Sequence, residues 1–145
     1  MAITPKRLEV FEIIEQTVKT KSRKDKIKFL QENRISALLD VLRGTYDDAI
    51  QWNLPEGAPP YTPQEEGAQP STLLKYHLNF KYFVKGLRES NRLTNVKRER
   101  MFIDMLEAVH PKDADILIAM INKKNLGRGI TKKLIQEAFP DLIVK

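Results

Sequence analysis

An all-α fold, one compact domain of about six to eight helices, is what this sequence predicts. Two observations carry it: apolar residues recur at spacings of three and four through most of the chain, and no stretch of β-branched residues alternates as a half-buried strand would. A third sets the scale. With 145 residues and 41% apolar content, the chain has single-domain length and enough apolar surface for one core.

Thr4-Pro5 reads as an N-cap and first helical residue, and Leu8, Phe11, Ile14 and Val18 then form a buried stripe, so helix one is expected to run to about Lys19. Ser22 caps a second helix that buries Ile27 and Leu30. Ile35, Leu38, Leu39 and Leu42 mark a third, expected to stop near Gly44. Tyr46, Ile50 and Trp52 are read as a short helical piece packing back on this group. Between Asn53 and Pro70 five prolines break the pattern, giving a long internal connection rather than a domain boundary.

Ser71 is expected to cap the next helix, with Leu74, Leu78, Tyr82 or Phe83, and Leu87 inward, ending at Arg88 to Asn91. Thr94 or Asn95 caps another, burying Phe102, Ile103, Leu106 and Val109. Pro111 sits at a first helical position ahead of an acidic first turn, with Leu117, Ile118 and Ile121 inward. Thr131 caps a last short helix carrying Leu134, Ile135 and Phe139, which Pro140 ends.

Charge divides unevenly. Residues 1–70 hold 10 Lys/Arg against 11 Asp/Glu, whereas 71–145 hold 15 against 8, so the second half carries the excess of the net +6. Within the first half, the run Lys19, Lys21, Arg23, Lys24, Lys26 and Lys28 is also basic. Such an excess points to a polyanionic partner. The longest apolar stretches are too short to span a bilayer, residues 1–7 lack an apolar signal-peptide core, and cysteine is absent; a cytoplasmic address is expected, the host cytoplasm if the protein is viral.

No catalytic, metal or cofactor site is expected. His77 is placed inside an amphipathic helix and His110 at a helix start, where capping accounts for it. Asp113 and Asp115 are two apart on a helix and face different ways. Asp47-Asp48 and Glu65-Glu66 read as solvated surface. Gly127 and Gly129 are not followed by the Lys-Ser/Thr pair of a Walker phosphate loop.

The segment from Lys124 to Lys133 carries the sharpest functional signal. Gly127, Arg128 and Gly129 precede Thr131, whose helix opens with Lys132 and Lys133, so unpaired first-turn amides and cations gather where a phosphate could sit. The same pattern also serves as a plain helix–helix connection. Trp52, Leu54, Pro59, Pro60 and Tyr61 form a second candidate surface, able either to meet another protein or to cover the chain's own core.

Several segments resemble the N-terminal DNA-binding domain of ATP-dependent DNA ligases, particularly the compact phage type: Arg23 to Leu30, Leu42-Arg43-Gly44-Thr45-Tyr46, Leu93-Thr94-Asn95, and the close Ala138-Phe139-Pro140-Asp141-Leu142-Ile143. The resemblance implies an all-helical domain gripping the sugar-phosphate backbone of duplex DNA across the minor groove. Carried over by residue, it points to Thr94 and Asn95 at one helix start and to Gly127, Arg128, Gly129, Thr131 and Lys132 at another. The chain stops at Lys145, where a ligase continues into its nucleotidyl-transfer domain, and it has no Lys-x-Asp-Gly motif, so binding without ligation is implied. The Pro55 to Pro70 segment departs from the family. The alternative is a helical interaction module acting on replication or transcription machinery, or a virion component.

Overall fold

The computed structural model describes residues 8–65, 67–68 and 70–143. Among these, eight α-helices and one 3-10 segment occur in the order α1 (Val10–Lys19), α2 (Arg23–Glu32), α3 (Ser36–Tyr46), α4 (Leu73–Tyr76), the 3-10 segment (His77–Tyr82), α5 (Arg88–Asn91), α6 (Asn95–Ala108), α7 (Pro111–Ile121) and α8 (Lys132–Ala138). The fold is all-α, as the periodicity predicts. Helix α7 lies at its centre, packed by α1, α3 and α6, while α8 covers α2.

The expected Thr4-Pro5 cap lies outside the described residues. Helix α1 begins at Val10, because Glu12 Oε1 accepts the Glu9 N–H at 2.9 Å and Asp113 Oδ1, from the first turn of α7, accepts the Phe11 N–H at 3.1 Å. Its buried face is Val10, Ile13, Ile14 and Thr17, with Phe11 and Val18 at the edges. The stripe is offset from the expected one because α1 is wedged between α2 and α7 and buries a broader face than a single-sided helix.

Helix α3 passes through Gly44 instead of stopping there. A Cβ at Gly44 would lie 2.5 Å from Trp52 Cζ2 and 3.0 Å from Met120 Sδ, so the glycine serves close packing rather than termination. The Trp52 indole N–H donates to the Gly44 carbonyl at 2.9 Å. The helical piece expected over Tyr46 to Trp52 is absent: the Asp47 carboxylate accepts the Ala49 N–H in a turn, and residues 51–53 lie extended and antiparallel to 83–85. Bonds from Asn53 N–H to Phe83 O at 2.6 Å and from Lys85 N–H to Gln51 O at 2.7 Å hold that pairing.

This pairing also overturns the single helix expected from Ser71 to Asn91. Thr72, not Ser71, caps α4, and the chain tightens into the 3-10 segment before extending at Phe83. A three-residue turn aligns His77, Phe80 and Phe83 inward. Leu78 and Leu87, expected inside, are 64% and 41% exposed. Leu73 takes the buried place expected of Leu74.

The remaining helices follow their sequence signals closely. Thr94, His110 and Thr131 each accept a first-turn N–H as N-caps, and Pro111 opens α7. In α6 and α7 the buried set shifts to include Met105, Ile116 and Met120, leaving Ile103, Ile118 and Ile121 half-buried. The 53–70 segment is, in its described part, without helix or strand and is tied to the bundle by Gly57 to Asn122, Thr62 to Glu107 and Gln64 to Glu107 bonds.

Replacing Gly44 with Ala forces the Trp52 ring or Met120 to move, and is expected to cost about 1–3 kcal/mol in urea unfolding with a shift in Trp52 emission. Asp113 gives a second test. Burial pushes its carboxyl up to about 7, opposed by the Phe11 N–H and reinforced by the charges of Glu9 and Glu12. The folded state therefore holds this proton more tightly than the unfolded chain, and the group's contribution to stability declines as pH rises from about 4 through about 7. Asp113→Asn, whose carboxamide oxygen can still accept from Phe11, should flatten that part of the pH–stability curve. An unchanged slope would contradict the assignment.

Candidate nucleic-acid interface

The helix directions decide which basic residues meet. The start of α1 touches the start of α7 through Phe11 and Asp113, and Gly44 near the end of α3 faces Met120 near the end of α7. Helices α1, α3 and α7 therefore run the same way, and their C-terminal ends share one end of the bundle. The two-residue corner Val109-His110 reverses the chain between α6 and α7, which brings the start of α6 to that same end.

The Gly-containing loop after α7 is held there by a buried phenol. The Tyr46 hydroxyl donates to the Ile130 carbonyl at 2.7 Å and accepts the Leu126 N–H at 3.2 Å, with Asn125 Oδ1 also 3.2 Å away. Burial raises the Tyr46 pKa, with the Leu126 N–H acting in the opposite direction, so the neutral donor form persists. Lys123 enters the loop at φ 56°, and its ammonium donates to the Asp47 carbonyl at 2.8 Å. Partial burial lowers the Lys123 pKa against the opposing attraction of Asp47 and Asp48.

The two glycines have different reasons. Gly127 is required by packing: a Cβ there would lie 2.5 Å from Val18 Cγ2 of α1, so the side-chain position of this glycine is filled by protein. Gly129, at φ 80°, is exposed and turns the chain toward Thr131. Thr131 Oγ1 accepts the Leu134 N–H at 3.1 Å, leaving the amides of Lys132 and Lys133 ahead of the first helical bond. Lys124, Arg128 and Lys133 are exposed. Lys132 is partly occupied, 3.1 Å from Asp48 Oδ2.

Beside this loop stands the basic run from Lys19 to Lys28, which the sequence showed as a patch but did not join to it. The Lys26 side chain is the joint: its Cε comes within 3.5 Å of the Gly129 Cβ position, while its ammonium caps the end of α1 by donating to the carbonyls of Thr17 at 2.7 Å, Val18 at 3.3 Å and Thr20. Lys19, Lys21 and Lys24 are exposed around it, and Arg23 Nε is 3.0 Å from Glu137 on α8. That hydrogen bond and the guanidinium charge hold the Glu137 carboxyl below its ordinary pKa.

Thr94 and Asn95 occupy a separate corner at the start of α6. Thr94 Oγ1 accepts the Lys97 N–H at 3.2 Å, and the Asn95 carboxamide accepts from Arg98 at 2.7 Å. Arg98, only 4% exposed, also donates to the carbonyls of Ser90 and Leu93, fastening α5 to α6. No sequence signal distinguished this arginine from its exposed neighbours.

The acidic pairs divide. Asp47, expected at the surface, is 2% exposed and lies 3.6 Å from Arg43 Nε, whereas Asp48 is open to solvent. His77 is buried with Nδ1 2.5 Å from Asp40 Oδ2, and His110 Nδ1 accepts the Lys112 N–H. Among the described residues no three His, Asp or Glu side chains group as metal ligands, and no helix is long and apolar enough to cross a membrane. The second candidate surface splits: Trp52, Leu54 and Tyr61 pack against the core, while Pro59 and Pro60 line a cleft of about 450 Å³ over Phe102 and Ile121.

Lys26→Met keeps the aliphatic stem but leaves the end of α1 uncapped. It is expected to lower stability by about 1–2 kcal/mol in urea unfolding, and Lys26→Arg should recover part of the loss.

No curated protein matches the sequence. One family does, over residues 13–127, a span that runs from within α1 through the central α6–α7 hairpin to Gly127 of the loop. The chain belongs to the Family of unknown function DUF6433.

Proposed function

We propose that this protein binds duplex DNA through the sugar-phosphate backbone without reading base sequence. The observation that carries the proposal is the convergence of two basic segments, Lys19 to Lys28 and Lys123 to Lys133, at one corner through Lys26 and Gly129. Together they offer Lys19, Lys21, Lys24, Lys124, Arg128 and Lys133 as exposed cations beside the first-turn amides of α8. The start of α6, with Thr94, Asn95 and Lys97, lies at the same end of the bundle and supplies a second contact. The resemblance to the ligase DNA-binding domain, which grips DNA with helix starts and the loops before them, supports the same reading.

Binding of this kind is governed by counterion release. Each phosphate neutralised contributes about 0.9 to the slope of log affinity against log salt concentration. Replacing Lys24, Arg128 and Lys133 with Ala is expected to reduce that slope by about two to three and to weaken unrelated duplexes equally. Lys112→Ala, at the opposite end of the bundle and paired with Glu15, should leave it unchanged. Fluorescence polarisation across a salt series checks this. A triple variant with the wild-type slope would remove the corner from the interface.

A further inference from the structure

Leu78 and Leu87 are apolar residues that the core does not use. Both border one open groove of about 420 Å³ between α3 and the 3-10 segment. Its floor is Ile50, Trp52, Phe80 and Val84, with Trp52 and Phe80 meeting edge to face at 5.9 Å. Had the chain kept the regular helix its periodicity suggests, Leu78 would lie inside. The 51–53/83–85 pairing instead turns both leucines to the lips of the groove, where two large apolar side chains flank an apolar floor.

The charge around the groove specifies the occupant. Lys81 stands on its rim, and Lys85 and Arg88 adjoin the lining residues Val84 and Leu87 in the chain. Among the described residues Lys81, Lys85 and Arg88 form no ion pair, whereas the carboxylate on the rim, Asp40, is already engaged by His77 and the rim guanidinium of Arg43 by Asp47. An acidic partner answers these free cations. The lips are aliphatic, suited to covering apolar side chains.

We propose that the groove between α3 and the 3-10 segment docks an acidic amphipathic segment of a partner protein, its apolar side chains entering between Leu78 and Leu87 and its carboxylates facing Lys81. Trp52, the single tryptophan of the chain, lies in the floor and reports occupancy.

The test uses the full chain and two synthetic helical peptides of about 16 residues with the same leucine face, one with a glutamate-rich polar face and one lysine-rich. The acidic peptide is expected to shift Trp52 emission saturably and to bind at least about tenfold more tightly than the basic one. Lys81→Glu should weaken it by about tenfold, and the exposed substitutions Leu78→Ser with Leu87→Ser should abolish the shift while leaving the circular dichroism spectrum intact. No saturable shift with the acidic peptide, or equal binding of both peptides, overturns the proposal. A duplex oligonucleotide that produces the shift and is displaced by the acidic peptide would give the groove to nucleic acid instead.

Discussion

The Tyr46 hydroxyl is the contact on which the arrangement of the basic end depends. A loop carrying Lys123 to Lys133 has little apolar surface of its own, and ordering it costs backbone entropy at every residue. The phenol offsets this from the edge of the core by satisfying the Ile130 carbonyl and the Leu126 N–H together. Packing completes the attachment: Ile130 is fully buried, and Gly127 lets the loop approach Val18 at the end of α1. The phenol and this packing together hold the loop against the α1–α2 turn, where the two basic runs meet.

The central place of α7 explains why so much converges at one end. Parallel alignment of α1, α3 and α7 puts three helix C-termini side by side, a concentration of partial negative charge that favours cations. Lys26 answers the end of α1, and Lys123 answers the turn after α3 through the Asp47 carbonyl. Cations drawn in for structural reasons thus bring their exposed neighbours with them. The positive field at this end follows from helix direction as much as from composition.

Much of this was legible in the sequence, and what was missed has identifiable causes. Capping residues predicted the starts of α2, α6, α7 and α8, because Ser22, Thr94, Pro111 and Thr131 act locally and need no tertiary partner. Gly44 resembles a helix stop in the sequence because its packing role depends on Trp52, eight residues further on. The 71–91 region has the period of one helix, but pairing with residues 51–53, a contact remote in sequence, overrides it. At the candidate site, Thr94, Thr131 and the exposed lysines stood out by type and position. Tyr46, Lys26 and Arg98 did not, since each acts through buried bonds to backbone carbonyls that no local pattern encodes.

The most direct measurement of the central claim is a paramagnetic-relaxation experiment on the convergence itself. The chain has no cysteine, so Lys24→Cys gives a single site for a spin label without further changes. Contact between the α1–α2 turn and the loop predicts strong broadening of the Arg128 and Gly129 amide resonances, weakened when Tyr46 is also replaced by Phe. Unbroadened Arg128 and Gly129 signals in the labelled protein with Tyr46 intact would show the two basic runs to be apart and would contradict the account.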